Sequence, residues 1–192
     1  EKSIDCNIIE KLENNTESNV KVTIFQGLPK ADKLELVIQK SVELGAYDIT
    51  PLQMKRCVVK LNEKDKLKKI QRWQKISEVA AKQCGRNIIP KINNIVNVKE
   101  VCNLCNEYDI VLIAYENEKE NTLKKELKNL KKLDKEEIKV AVIIGPEGGI
   151  APEEIEMFEE NGAKIITLGN RILRTETVAL SVLSIIMYEL EK

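Results

Sequence analysis

From residue 20 onwards, short apolar runs alternate regularly with longer segments in which apolar residues recur at helical spacing. The short runs predict buried strands, and the longer segments predict helices. This alternation is typical of an α/β domain, in which helices cover both faces of a mainly parallel sheet. The predicted strands are 20–25, 47–52, 109–114, 139–144 and 164–168, with a short apolar segment at 91–96. The predicted helices are 31–44, 65–84, 99–106, 119–133, 152–161 and 175–190.

Residues 1–19 do not follow this alternation. Segment 5–9 predicts a strand, and the polar cluster at 13–19 predicts a loop. We expect residues 1–19 to be the tail of a small β-rich domain that precedes the α/β domain of residues 20–192.

The composition excludes several kinds of chemistry. The chain has no histidine, so a Ser-His-Asp triad, an imidazole base and every zinc site that needs histidine are excluded. Cys102 and Cys105 form a single Cys-x-x-Cys pair within a predicted helix, which favours two half-buried thiols, and we predict no metal site. Five cysteines without a signal peptide predict a reducing compartment, the cytoplasm. No apolar run reaches the roughly 20 residues of a membrane-spanning helix, so we expect no membrane partner.

Two glycine-bearing turns, each between a strand and a helix, predict a binding site. The first is Gly145-Pro146-Glu147-Gly148-Gly149, where glycine permits positive φ and close approach of backbone to a ligand. Ligands of parallel sheets bind beyond the carboxyl ends of the strands, where segments 114–116, 145–150 and 169–174 end. The turn fits neither a nucleotide-phosphate loop nor a dinucleotide fingerprint, and Glu147 would repel a pyrophosphate. A ligand with a positive or neutral centre suits it better; an ordinary tight connection is the alternative.

The second turn, at 169–177, carries two arginines and a carboxylate. Arg171 and Arg174 could hold phosphate oxygens or a developing oxyanion, because guanidinium stays charged and forms forked hydrogen bonds. Glu176 is equally suited to complement the dipole at a helix N-terminus.

Four ordered segments within residues 20–190 resemble the SPOUT RNA methyltransferases, specifically the RsmE type. The segments are Gly145–Gly149, Leu168–Ala179, Leu28–Lys33 continued by Gln39–Gly45, and Ala80–Arg86 with Pro90. This family methylates N3 of a uridine in 16S ribosomal RNA of the small subunit. One departure is Ala151, which cannot cap the helix that begins at Pro152.

The resemblance implies a SPOUT fold with a C-terminal trefoil knot, in which S-adenosylmethionine lies bent. It also implies a homodimer, the 30S subunit as substrate, and a PUA-like RNA-binding domain of which residues 1–19 are the remnant. The cofactor-binding residues implied are Ile113, Ala114, Tyr115, Glu116, Gly145, Pro146, Glu147, Gly148, Gly149, Leu168, Gly169, Asn170, Arg171, Ile172 and Leu173.

The chemistry of the implied reaction suggests roles for several charged residues. N3 of uridine must lose its proton before it can attack a methyl group, and an arginine aimed at the neighbouring carbonyl oxygens favours the resulting anion. We expect Arg174 or Arg86 to stabilise the anion, with Glu176 as the first candidate for the proton acceptor and Glu147 as the second. The alternatives are a related RNA methyltransferase with another target, a non-catalytic nucleotide- or RNA-binding module, and a structural dimer.

Overall fold

A computed structural model describes residues 3–10, 16–133 and 135–192 of the chain. The strands are β1 (Val20–Gly27), β2 (Asp48–Gln53), β3 (Lys91–Ile92), β4 (Val96–Asn97), β5 (Ile110–Ala114), β6 (Ile138–Ile144) and β7 (Lys164–Ile166). The helices are α1 (Lys33–Glu43), α2 (Glu63–Gln83), α3 (Val98–Leu104), α4 (Leu123–Leu130), α5 (Pro152–Glu160) and α6 (Thr175–Leu190). Short 3₁₀ turns follow α3 at Cys105–Glu107 and α4 at Lys131–Leu133.

All strand pairings in the sheet are parallel, in the order β3-β2-β1-β6-β5-β7, with β4 also pairing with β2. β1 pairs with β6 from Val20 opposite Ile138 to Gln26 opposite Ile144. The chain runs from β1 toward β2 on one side, whereas β6 borders β5 on the other, so the strand order reverses between β1 and β6. A reversal of this kind opens a crevice at the carboxyl edge of a parallel sheet.

Helix α6 follows the edge strand β7 but packs against α1 and the central strands β1 and β6. It is apolar on most of its surface, and Val182, Leu183 and Ile186 are fully buried. The chain must therefore cross back from the edge of the sheet to its middle. The connecting segment 167–174 passes over the carboxyl ends of β5 and β6, and this crossing places it at the crevice.

The predicted α/β class and parallel sheet are confirmed, and each predicted strand or helix from residue 20 onwards has a counterpart in the structure. Helix α4 begins at Leu123 rather than at 119, because the side chain of Thr122 caps it by accepting a hydrogen bond from the Lys125 N–H. Segment 91–96 contains the short strand β3 and the start of β4.

The predicted strand at 5–9 is wrong, since residues 3–10 form no regular element and Ile8 and Ile9 are more than 90% exposed. A strand requires hydrogen bonds to a neighbouring strand, and this segment pairs with none of the described ones. Residues 1–2 and 11–15, which the interpretation of 1–19 includes, lie outside the described residues.

The two thiols of the Cys-x-x-Cys pair form no disulfide, and they are buried rather than half-buried as predicted. Burial raises the pKa of both, that of Cys105 to about 11, which is the opposite of what a redox-active thiol requires. The described residues hold no group of three or more His, Cys, Asp or Glu that could bind a metal. Within the same residues, no helix has the length and apolar character needed to cross a membrane.

Candidate active site

Three loops at the carboxyl edge of the sheet enclose two adjoining cavities. Cavity A, about 390 Å³, lies between segments 114–119 and 167–173. Cavity B, about 350 Å³, lies between the loop after β6 and the start of α6, with Lys33 at its wall. The two cavities share five lining residues, namely Ala114, Glu116, Ile172, Leu173 and Val178. They therefore form one continuous cleft, and the two glycine-bearing turns both line it.

Cavity A is shaped by hydrogen bonds between the loop after β5 and the loop after β7. The Thr167 N–H donates to the Asn121 carbonyl (2.8 Å), and the Asn121 side-chain amide donates to the Ile165 carbonyl (2.8 Å). Glu118 Oε1 accepts from three successive backbone N–H groups, at 119, 120 and 121, and these bonds lower the pKa of its carboxyl. The loop is thus rigidly folded against the segment that crosses it.

Cavity B depends on close contact between the loops that follow β1 and β6. A Cβ atom on Gly27 would stand 2.7 Å from both N and Cδ of Pro146, so only glycine fits there. Gly149 has φ of +71°, and a Cβ on it would stand 2.9 Å from Oε1 of Glu116. Bare backbone and a carboxylate therefore lie side by side at the boundary of the two cavities.

Helix α5 is capped from within, despite the alanine that precedes it. Glu154 Oε2 accepts from the Ala151 N–H (3.1 Å), and Glu154 Oε1 accepts from the Lys55 N–H (2.7 Å). The Glu154 side chain thus ties the loop after β2 to the loop after β6. It satisfies the Ala151 N–H, one of the unpaired donors at the start of the helix, and Pro152 at the first helical position lacks an N–H altogether.

Thr175 connects the start of α6 to both central strands. Its hydroxyl donates to the Gly145 carbonyl (2.7 Å) and accepts from Nε2 of the fully buried Gln26 (2.8 Å). Because Gln26 is in β1 and Gly145 follows β6, this one hydroxyl fixes the entry of α6 at the point where the strand order reverses.

A cluster of charges lines cavity B. Nζ of Lys33 lies 3.0 Å from Oε1 of Glu147 and 3.4 Å from Oε2 of Glu176. Both carboxylate oxygens of Glu147 also lie 3.2 Å from the Lys30 backbone nitrogen, which donates to them. Burial alone would raise the pKa of Glu147, but these hydrogen bonds and the charge of Lys33 outweigh burial and lower it. These surroundings therefore favour the ionised form of the Glu147 carboxyl.

Most of the predicted binding residues line this cleft. Residues 114–116, 145–147, 149 and 168–173 all do. Two of the predicted residues, Ile113 and Gly148, line neither cavity. Ile113 is fully buried in β5, between β6 and β7, and Gly148 packs against the backbone of Arg56.

Of the three predicted catalytic residues, Arg174 lines cavity B, and Glu176 lies next to the cavity through its contact with Lys33. Arg86 does not. Its guanidinium donates to the Ala46 carbonyl (2.6 Å) and the Val42 carbonyl (3.2 Å) and pairs with Glu17. Ala46 precedes β2, so Arg86 lies at the amino edge of the sheet, opposite the cleft. This placement contradicts the expected catalytic role of Arg86 within its own chain.

Lys33 lines cavity B and Gln26 bonds to Thr175 beside it, but no local pattern predicts a role for either residue. Lys33 belongs to the segment Leu28–Lys33 that carries part of the family resemblance, which was the only signal for it. Gln26 is a polar residue inside an otherwise apolar strand, and a fully buried amide of this kind requires partners.

Comparison with known proteins places this geometry in context. The family model described as an RNA methyltransferase domain matches residues 16–187. The chain is 39% identical over 189 residues to the ribosomal RNA small subunit methyltransferase E of Bacillus subtilis. This alignment covers 98% of this chain and 73% of the relative. The chain is 38% identical to the protein of the same name from Mesomycoplasma hyopneumoniae, over 92% of this chain and 74% of that relative.

Two solved structures carry a bound ligand and superpose well on this chain. One is a putative methyltransferase from Legionella pneumophila in complex with the cofactor SAM, with a TM-score of 0.83, 36% identity, and coverage of 92% of this chain and 69% of the other. The other is a ribosomal RNA small subunit methyltransferase E from Neisseria gonorrhoeae bound to S-adenosyl methionine, with a TM-score of 0.78, 31% identity, and coverage of 90% and 68%.

Proposed function

Because this chain belongs to the RNA methyltransferase domain family, together with the ribosomal RNA small subunit methyltransferase E proteins, we propose that it transfers a methyl group from S-adenosylmethionine to N3 of a uridine in 16S ribosomal RNA. The observation that supports this most directly is the continuous cleft of cavities A and B, which both glycine-bearing turns line.

The cleft suits S-adenosylmethionine chemically. Cavity A offers backbone groups and apolar side chains such as Leu168 and Leu173, which suit a nucleobase, and the Glu116 carboxylate, which can accept hydrogen bonds from ribose hydroxyls. Cavity B carries Glu147, whose lowered pKa favours a negative charge next to a positively charged ligand. Bound there, the cofactor would supply an electrophilic methyl group.

The crossing of segment 167–174 over the sheet is the geometry that a C-terminal trefoil knot requires, and we include the knot in the proposal. A homodimer is also part of it. On α6, Tyr188 is 88% exposed and Ile185 is 41% exposed, which gives an otherwise buried helix an apolar outward face.

We also include in the proposal that residues 1–19 are the end of a PUA-like RNA-binding domain. In this proposal the ion pair of Glu17 with Arg86 marks the point where these residues join the α/β domain. The cytoplasm is the proposed location, since assembling ribosomal subunits are found there.

The residues at cavity B suggest how the chain would act on uridine. Arg174 lines the cavity, is exposed, and can direct its guanidinium at the carbonyl oxygens that carry the charge of the N3 anion. Glu147 lines the same cavity and Glu176 lies next to it through its contact with Lys33, and either can accept the N3 proton. We place Glu176 first because the Lys30 backbone N–H already donates to both oxygens of Glu147.

The test is a methyl-transfer assay with labelled S-adenosylmethionine and unmodified 30S subunits, followed by nucleoside analysis. We expect 3-methyluridine. Methyl groups on a ribose or on another base would exclude the N3 target while keeping the enzyme class, and no transfer at all would exclude both.

The arginine assignment has its own test. Arg174→Ala should lower the transfer rate by about 100-fold or more while S-adenosylhomocysteine binds nearly as well as to the wild type. Arg72→Ala is the matched control, because Arg72 pairs with Glu35 and lines neither cavity. A fully active Arg174→Ala enzyme would remove Arg174 from the mechanism.

A further inference from the structure

Lys33 is in contact with two carboxylates that come from different elements. Glu147 belongs to the loop after β6, Glu176 belongs to the first turn of α6, and Lys33 is the first residue of α1. The ammonium group therefore joins three segments that are far apart in sequence, at the wall of the cavity where the reaction would take place.

The two carboxylates do not depend on Lys33 equally. Glu147 also accepts from the Lys30 N–H, so a second group holds it in place. Glu176 Oε2 is buried and has no hydrogen-bond partner within the described part of the chain, although Lys33 Nζ stands 3.4 Å away. A buried carboxylate without a countercharge is strongly disfavoured, so the charge of Lys33 matters most to Glu176.

We propose that Lys33 is a positioning residue for the methyl transfer, which supplies the countercharge that holds the Glu176 carboxylate next to cavity B while Glu147 anchors the ammonium group from the other side. This inference rests on the function proposed above and adds a residue to it. Lys33 acts through Glu176 and need not touch the uridine itself.

The surroundings of Lys33 are consistent with this role. Its hydrogen bond to Glu147 raises the pKa of the ammonium group, with further contributions from the charges of both carboxylates, so Lys33 stays charged throughout the neutral range. Other charged groups near this end of the molecule are Lys30 and Asp32 before α1, Arg56 after β2, Glu116 after β5 and Arg174 at the start of α6.

The test compares Lys33→Met and Lys33→Arg with the wild type. Without the ammonium group, Glu176 loses the positive charge that stands 3.4 Å from its Oε2. We expect Lys33→Met to lower kcat by about tenfold or more near neutral pH. KM for S-adenosylmethionine should change little, and Lys33→Arg should restore most of kcat.

Lys40→Met is the matched control. Lys40 is on the same helix and is similarly exposed, but it pairs with Glu43 and lines neither cavity. A Lys33→Met enzyme with wild-type kcat would overturn the inference, and so would a Lys33→Arg enzyme that recovers none of the lost kcat.

A second measurement needs no RNA substrate, so it separates this inference from the proposed function. In this double-mutant cycle, the free energy of unfolding is measured for the wild type, Lys33→Met, Glu176→Gln and the double variant. Coupled, non-additive effects are expected for two opposite charges 3.4 Å apart, whereas additive effects would show that Lys33 does not act on Glu176. If wild-type protein modifies no RNA while the cycle shows coupling, the function fails and the contact stands.

Discussion

Replacing Thr175 by Val tests whether one hydroxyl holds the carboxyl edge of the sheet together. The change keeps the size and branching of the side chain and removes only its hydrogen bonds. Thr175 is buried, with 6% of its surface exposed. Its hydroxyl donates to the Gly145 carbonyl at 2.7 Å and accepts from Gln26 Nε2 at 2.8 Å. Gln26 keeps one bond through the same nitrogen, to the Gly27 carbonyl at 3.1 Å.

The expected cost follows from these contacts. A typical hydrogen bond contributes about 1 kcal/mol, and leaving a buried group unsatisfied costs about 1–3 kcal/mol. Two bonds are lost, but Gln26 retains a partner, so we expect Thr175→Val to lower the free energy of unfolding by about 2 kcal/mol. In a chain of this size, that corresponds to a decrease in Tm of about 4–8 °C. Binding of S-adenosylhomocysteine should weaken as well, because Gly145 and Thr175 both line cavity B.

Urea denaturation and calorimetric titration measure the two effects. Thr175→Ser should behave like the wild type, because it keeps the hydroxyl. Thr177→Val is the matched control, since Thr177 is exposed in the same helical turn. If Thr175→Val were within about 0.5 kcal/mol of wild type, the hydroxyl would not be the connection described here.

Three further outcomes are expected. Gly27→Ala places a Cβ 2.7 Å from the Pro146 backbone, so it should destabilise the protein by about 1–3 kcal/mol and weaken S-adenosylhomocysteine binding; unchanged binding in a calorimetric titration would contradict the close approach. Burial would raise the pKa of the Glu17 carboxyl, but its contact with Arg86 outweighs burial and lowers the pKa below the ordinary value of 4.5. The pair therefore stabilises the folded protein fully above pH 4.5, and this stabilisation is lost as the pH falls through the lower pKa of the folded state. Glu17→Gln should therefore have a lower free energy of unfolding than the wild type at pH 7, and the difference between the two proteins should become smaller as the pH is lowered. A difference that stays constant with pH would refute this linkage. Iodoacetamide at pH 8 should label the exposed thiols and spare Cys105, whose pKa is about 11, until the protein unfolds; labelling of Cys105 in the native state, seen by peptide mass spectrometry, would show that its burial is incomplete. The exposed thiols are Cys6 and Cys84.

Much of the fold could be predicted from local patterns. Strand β6 is an apolar run that ends at Gly145, and α5 is an apolar-polar repeat that begins with Pro152 and ends before Gly162. Such patterns depend on neighbours within a few residues, so a sequence displays them directly. The exposed segment 3–10 shows the limit of this reasoning, because an apolar run forms a strand only where another strand is available to pair with it.

The location of the cleft was also predictable, since all strands of a parallel sheet present their carboxyl ends at one edge and short glycine-bearing loops end there. The contacts between individual side chains around the cleft could not be predicted in this way. Arg86 belongs to a family-like segment and yet lies at the opposite edge of the sheet, held by Glu17 and by the carbonyls that end α1.

Local residue patterns predict the order of strands and helices along the chain and the edge at which a ligand would bind, and the lack of histidine excludes imidazole chemistry. Two long-range contacts are seen only in the folded molecule: Lys33 lies between Glu147 and Glu176, and Gln26 meets Thr175 across 149 positions of the chain. These contacts depend on which strands become neighbours and on the return of α6 to the middle of the sheet. Long-range packing sets both, and no local pattern of residues records it.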